Sequence, residues 1–207
     1  MKYESFLAKY PLISNQVSRG EIAVILRELE RVLQQNIPGN IVEFGCYIGT
    51  TSLFMRRLLD VYNQSSSREF HVYDSFEGLP LKVSADQNAA GIDFKAGELL
   101  VSKKQFLREF QRAKLAPPQT HKAWFNQLAE KEVPKDIAFA FLDGDFYDSI
   151  LSSLKLVWPK LAENAVVLVH DYKRETLPGV ERAIHDFMQD KQYHLQHEQN
   201  IAILRAL

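Results

Sequence analysis

The stretch that most constrains the fold is Ile137-Ala138-Phe139-Ala140-Phe141-Leu142, an unbroken apolar run closed by Asp143. A strand that is apolar on both faces must be covered on both faces, as in a parallel sheet packed between helices. Ala165 to Val169 repeats the pattern and also stops at polar residues, His170 and Asp171. Helical and extended patterns alternate around these runs. Ile22, Ile25, Leu26, Leu29, Val32 and Leu33 share one helical face within residues 21–34. Pro38-Gly39 marks a turn, and Ile41 to Gly45 reads as a short buried strand. A helix from about Thr50 aligns Phe54, Leu58 and Val61, and Phe70 to Tyr73 gives a second strand.

Residues 102–114 are predicted helical, Pro117-Pro118 breaks the chain, and Thr120 to Phe125 is predicted as a strand. Ile150, Leu154, Val157 and Leu161 form one helical stripe, and Val180, Ile184, Phe187 and Met188 mark another helix. Tyr193 to His197 and Ile201 to Leu204 read as a hairpin turning near Gln199-Asn200. Strands alternating with helices predict a doubly wound α/β fold with a largely parallel sheet. We expect a single domain over residues 1–207, with 1–36 as an N-terminal helical extension. The stretch 75–101, mixed in polarity and weak in periodicity, is expected to be a long loop with a short helix, acting as an active-site lid.

Composition narrows the function classes. A net charge of −1 argues against a nucleic-acid partner. The single cysteine, Cys46, precludes an intrachain disulfide and suits a reducing compartment. No apolar run approaches the roughly 18 residues of a membrane span, and the N-terminus has no apolar leader core. The expectation is a cytoplasmic protein acting on a small molecule, without membrane or nucleic acid, with homo-oligomerisation left open.

In such sheets ligands bind beyond the carboxyl ends of the strands. The first of these ends is Glu43-Phe44-Gly45-Cys46-Tyr47-Ile48-Gly49-Thr50, where a glycine-bearing turn enters a helix. Gly45 and Gly49 let backbone approach a ligand closely. Neither the three-glycine dinucleotide fingerprint nor a P-loop lysine is present. The second end is Asp74, 25 positions after Gly49, near the roughly 20-residue offset at which an acid meets ribose hydroxyls. A turn or helix cap is its structural alternative. The third is Asp143-Gly144-Asp145-Phe146-Tyr147-Asp148-Ser149. Carboxylates stranded at the end of an apolar strand suggest a metal, a base or a bound cation; helix capping is an even alternative for Asp145 and Asp148. Adjacent strands would bring Asp143, His170 and Asp171 together as a metal or acid/base constellation.

These residues resemble the macrocin O-methyltransferase (TylF-type) family of class I S-adenosylmethionine-dependent methyltransferases, from about Ile37 to Phe187. The most specific pieces are Tyr73-Asp74-Ser75-Phe76-Glu77-Gly78-Leu79-Pro80 and Asp143 to Ser149, supported by Ile37 to Gly45 and Lys122-Ala123-Trp124-Phe125. The resemblance implies a Rossmann-like seven-stranded sheet with an antiparallel last strand. It implies that Glu43, Phe44, Gly45, Tyr47, Gly49 and Thr50 hold the methionine end of S-adenosyl-L-methionine, with Asp143 also beside the cofactor. Asp74 would hold the ribose, and Ser75 and Phe76 would lie beside the adenosine. It implies a metal set matching Asp143, His170 and Asp171, with one departure. His170 stands where the family keeps a carboxylate. Imidazole removes a charge and offers nitrogen, so the expected cofactor set is S-adenosylmethionine with magnesium, with a transition metal, or with no metal. Asp143 and His170 are then the candidate catalytic groups for O-methylation of a sugar or similar natural-product hydroxyl.

Two other classes compete. One is a sugar-nucleotide transferase that uses Asp-x-Asp on a metal-bound diphosphate. The other is a non-catalytic S-adenosylmethionine-binding domain. Asp86, Asp93 and Glu98 of the lid are candidate hydroxyl partners, with solvated loop charges as the commoner explanation. Cys46 is expected to be a buried packing residue, and Trp124 and Phe125 to pack in the core or near the adenine or acceptor pocket. His71, His121, His185, His194 and His197 share no ligand spacing.

Overall fold

A computed structural model describes residues 2–88 and 94–207 of the chain. Gly91 and Asp93 of the expected lid lie outside the described residues. The strands are β1 (Asn40–Phe44), β2 (Phe70–Asp74), β3 (Gln119–Lys122), β4 (Ile137–Leu142), β5 (Leu161–Val169), β6 (Tyr193–Glu198) and β7 (Ile201–Ala206). They form one sheet in the order β3-β2-β1-β4-β5-β7-β6. β1 pairs in parallel with β2 and β4, β2 with β3, and β4 with β5. β7 runs antiparallel to both β5 and β6. This is the expected mostly parallel sheet, with the terminal hairpin folded back so that its last strand is inserted beside β5.

The helices are α1 (Lys2–Lys9), α2 (Arg19–Gln34), α3 (Thr50–Val61), α4 (Lys103–Ala113), α5 (Tyr147–Val157) and α6 (Pro178–Met188). Alternation along the inner strands sends successive side chains to opposite faces. Ile41, Phe139, Phe141, Val166 and Leu168 meet α1 to α4 on one face. Val42, Phe44, Ala140, Leu142, Val167 and Val169 meet α5 and α6 on the other. Each Ile, Leu or Phe so buried contributes roughly 1.5–3 kcal/mol.

Helix ends follow local chemistry. α2 opens with a capping box: Ser18 Oγ accepts from Glu21 N–H, and Glu21 Oε2 accepts from Ser18 N–H. Neither Asp145 nor Asp148 caps α5. Asp86 does so from the lid, its Oδ1 accepting from Tyr147 N–H at 2.7 Å and its Oδ2 from Val83 N–H at 3.0 Å. Asp86 is 2% exposed, so it fastens the 75–101 loop to α5 instead of meeting a ligand hydroxyl. The short helix expected in the lid is the single 3₁₀ turn Ser84–Asp86. The two arms of the lid are zipped together, Leu79 N–H to Glu98 C=O and Gly97 N–H to Leu79 C=O.

β1 and β4 are the pair from which the chain winds outward in both directions, the point where strand order reverses. Here Gly45 has φ +87°, and a Cβ on it would lie 1.8 Å from the carbonyl oxygen of Asp143. Behind it Glu43 is fully buried; the Ser52 hydroxyl donates to its Oε2, and Oε1 has no hydrogen-bond partner among the described residues. Burial, and then the charges of Asp143 and Asp74, push its carboxyl well above the usual range against the pull of Ser52.

Two predictions follow from this junction. Gly45→Ala combines a left-handed backbone with a steric clash and is expected to cost roughly 3 kcal/mol or more in urea unfolding. Glu43 folds in its neutral form, so the stability tied to it is whole below the unfolded pKa and is lost as pH rises toward the folded one. Glu43→Gln cannot ionise and is expected to flatten that loss as pH rises above about 4, the unfolded value. Identical pH slopes in both proteins would mean that Glu43 is ionised in the fold.

Candidate functional site

A cavity of about 520 Å³, its open mouth included, lies at the carboxyl ends of β1, β2 and β4. Its walls include Gly45, Tyr47, Asp74, Ser75, Trp124, Phe125, Asp143 and Asp145. Leu79 and Leu99, from the two zipped arms of the 75–101 loop, close one side.

The glycine turn is shaped by Asp74. Its Oδ2 accepts from Cys46 N–H at 2.9 Å and from Tyr47 N–H at 3.3 Å, and its Oδ1 accepts from Phe76 N–H at 2.7 Å. One carboxylate therefore ties the β1 turn to the β2 turn. Charge-assisted bonds of this kind are the stronger ones. Capping and ligand binding are not exclusive here, because each carboxylate oxygen keeps further acceptor capacity at the cavity wall. Tyr47 and Phe76 both hold left-handed backbone, with φ 47° and 54°, which the Asp74 bonds help to fix.

The expected cofactor residues divide by position. Gly45, Tyr47, Asp74, Ser75 and Asp143 line the cavity. Glu43, Phe44, Gly49, Thr50 and Phe76 lie outside its lining and build the walls from behind. Phe44 stacks on Tyr73 at 4.5 Å and meets Phe125 edge-on. Gly49 leaves room for Phe106, whose ring would be 2.9 Å from an added Cβ. Phe76 packs against the same Phe106. Thr50 Oγ1 bonds Ser14 Oγ of the N-terminal segment at 2.9 Å. Cys46 is buried, and burial, before nearby carboxylates, pushes its thiol well above the ordinary value. It is a packing residue of the turn, as expected.

Asp143, His170 and Asp171 do converge, with ligand-type atoms all within 4.8 Å of one another. Positions 143 and 170 are brought together by β4 and β5, as His170 N–H bonds Leu142 C=O. His170 Nδ1 lies 2.9 Å from Asp143 Oδ1 and 3.4 Å from Asp171 Oδ2. Its Nε2 lies 3.3 Å from Glu21 Oε1, a residue of α2. Asp171 Oδ1 is held by Arg174 at 2.6 Å. Burial opposes a charge on His170, but Asp143, Asp171 and the bonds to Asp143 and Glu21 outweigh it and hold the ring well above its ordinary pKa. Burial likewise opposes ionisation of Glu21, and its bonds from His170, Ser18 and Asn200 overcome it and keep the carboxyl low. Asp145 differs: burial, then the charges of Asp143 and Asp171, push it well above the carboxylate range.

A metal ligand must offer a lone pair, and a histidine bound to a metal normally turns its other nitrogen's N–H to an acceptor. Here Nδ1 faces Asp143 and Asp171, and Nε2 lies toward Glu21, the kind of acceptor that backs a metal-bound histidine. Spacing and surroundings both fit an ion, with Arg174 sharing Asp171.

Sequence reasoning missed Glu21 and Arg174. Ser18-x-x-Glu21 forms the capping box of α2. Nothing in that motif announces a bond to a residue 149 positions away. Trp124 and Phe125 line the cavity, as one of the two expectations for them allowed.

The sequence matches the family Macrocin-O-methyltransferase (TylF) over residues 15–201. It is 32% identical over 165 residues to the 8-demethyl-8-(2,3-dimethoxy-alpha-L-rhamnosyl)-tetracenomycin-C 4'-O-methyltransferase of Streptomyces olivaceus, covering 77% of this chain and 61% of that one. It is 29% identical over 150 residues to the demethyldecarbamoylnovobiocin O-methyltransferase of Streptomyces niveus, covering 70% of this chain and 56% of that one. The chain thus spans about six-tenths of the length of the curated relatives it matches. Among solved structures, the O-methyltransferase NovP superposes with a TM-score of 0.76 at 24% identity, covering 92% of this chain and 80% of that one. The calicheamicin methyltransferase CalS11 gives 0.72 at 19%, covering 99% and 90%. At these identities the structural likeness establishes the shared Rossmann-like fold. With a family match that runs from Asn15 to Ile201 and takes in the Asp74 turn, the Asp143 strand end and the β5 terminus, the chain belongs to the macrocin O-methyltransferase (TylF) family.

Proposed function

We propose that this chain is an S-adenosylmethionine-dependent O-methyltransferase acting on a hydroxyl of a sugar or similar small natural-product acceptor. The observation that carries the reading is the charge of the cavity. Asp74 and Asp143 line it as carboxylates, and among the described residues lining it there is no lysine or arginine. A sulfonium cation suits an acidic wall. A nucleotide-sugar diphosphate would need basic partners or a metal, which weighs against the transferase alternative. The names of the Streptomyces relatives, both O-methyltransferases of natural products, support the acceptor class.

The residues fit S-adenosylmethionine. Asp74 presents a carboxylate for ribose hydroxyls, Gly45 brings backbone to the cavity without a side chain, and Trp124 and Phe125 offer apolar walls. When bound, the sulfonium supplies an activated methyl group, so the protein's work is to align the acceptor and take its proton. Asp143 is suited to that task. Its side chain is 28% exposed at the cavity, and His170 fixes its Oδ1. Acceptance of the hydroxyl proton by a positioned carboxylate is general base catalysis.

Titration calorimetry should detect binding of S-adenosylmethionine and none of a nucleotide sugar; the reverse result would overturn the reading. Asp74→Asn is expected to weaken S-adenosylmethionine binding by roughly tenfold or more, because one charged acceptor is lost. Asp143→Asn is expected to lower kcat by about 10²–10⁴ with a much smaller loss of S-adenosylmethionine affinity. The readout is acceptor-dependent release of S-adenosylhomocysteine. Binding without such release across a panel of glycosides would favour a non-catalytic binding domain.

A further inference from the structure

We propose that Glu21 is a positioning residue of the site: it fixes the His170 ring by Nε2, so that Nδ1 faces Asp143 and Asp171, and it thereby makes the N-terminal helix α2 part of the assembly. The inference rests on the methyl-transfer reading above and names a residue outside the cavity on which Asp143 depends. Glu21 stands in the first turn of α2 and is 5% exposed. Its Oε1 lies 3.3 Å from His170 Nε2. That nitrogen is buried, and Glu21 is the carboxylate that faces it. On the other edge of the ring, Nδ1 lies 2.9 Å from Asp143 Oδ1 and 3.4 Å from Asp171 Oδ2. A buried carboxylate and a bare ring lone pair repel, so Nε2 is the nitrogen that carries a proton toward Glu21. That assignment is the same for a ring whose Nδ1 binds an ion and for one whose Nδ1 donates to Asp143.

Glu21 is itself anchored. Its Oε2 accepts from Ser18 N–H at 2.7 Å, its Oε1 also accepts from Asn200 Nδ2 at 2.9 Å, and its own N–H donates to Ser18 Oγ at 3.2 Å. The two oxygens serve two purposes. Oε2 closes the capping box of α2, which is a local matter. Oε1 joins α2 to the end of β5 and, through Asn200, to the turn between β6 and β7, which no helix cap requires. A group that aims another works only when its own supports are rigid. Glu21 is not among the residues lining the cavity, so it acts on the acceptor through His170 and Asp143.

Two variants of the whole chain, Glu21→Ala and Ser18→Ala, separate these purposes. Ser18→Ala removes the cap hydroxyl and keeps the backbone N–H that anchors Glu21. Ring protonation is read by heteronuclear NMR of the labelled histidines, turnover by acceptor-dependent release of S-adenosylhomocysteine, and cofactor affinity by calorimetry. In the wild type and in Ser18→Ala, His170 Nε2 is expected to carry a proton protected from exchange. Glu21→Ala is expected to lose that protected proton and to lower kcat by roughly tenfold or more, the scale on which the outer partners of a site histidine act, with little change in S-adenosylmethionine affinity. Ser18→Ala is expected to lose stability in urea and keep its kcat. An unprotonated Nε2 in the wild type would overturn the proposal. So would an unchanged kcat in folded Glu21→Ala, or an equal loss of kcat in Ser18→Ala, which would reduce Glu21 to a helix cap. If Glu21→Ala does not fold, the wild-type ring spectrum decides. The ring is read without turnover, so the positioning role and the methyl-transfer reading fail separately.

Discussion

The contact on which the site depends is the junction of β1 and β4, where Asp143 N–H donates to Phe44 C=O at 2.7 Å. It is the last parallel rung before both strands turn away from the sheet. Gly45 stands against the carbonyl of Asp143 with no room for a side chain. The two turns thus diverge from a common point and leave a crevice between them. Asp74, Asp143 and Asp145 line that crevice, and the buried His170 stands behind Asp143. The glycine turn follows β1, Asp74 follows the adjacent β2, Asp143 and Asp145 follow β4, and His170 follows β5.

Charge is the second constraint. The carboxyl ends of these strands gather Glu43, Asp74, Asp143, Asp145, Asp171 and Glu21 within one small region. The fold treats each differently. Glu43 is kept neutral by burial. Asp74 spends its charge on three backbone N–H groups. Asp143, Asp171 and Glu21 are balanced by His170, with Arg174 sharing Asp171. Asp145 is pushed toward its neutral form. These solutions explain how an acidic cavity survives in a protein of net charge −1 without losing the sheet beneath it.

Much of this was legible in the chain. The apolar runs of β4 and β5 required cover on both faces, and cover on both faces required helices. Asp74 and Asp143 stood out because a carboxylate directly after such a run needs a reason. Other features were illegible for a physical reason: a side chain's partner depends on where distant elements meet. Asp86 read as a lid residue for ligand hydroxyls, yet it caps α5 from 61 positions away. Phe44, Gly49, Thr50 and Phe76 sit in the right motifs, but only packing against Tyr73, Phe106 and Ser14 turned their side chains or backbone away from the cavity.

Local periodicity, the glycine turn and the strand-end carboxylates by themselves determined the α/β architecture and the edge on which the site lies, because burial patterns and turn chemistry are properties of neighbouring residues. Tertiary structure alone decided the company of His170. From the sequence it stands at a strand end beside Asp171, open to a metal or a proton. In the fold, α2 brings Glu21 to its second nitrogen, β4 brings Asp143 to its first, and the ring is buried between them. That balance exists only where three elements meet, and no local pattern encodes it.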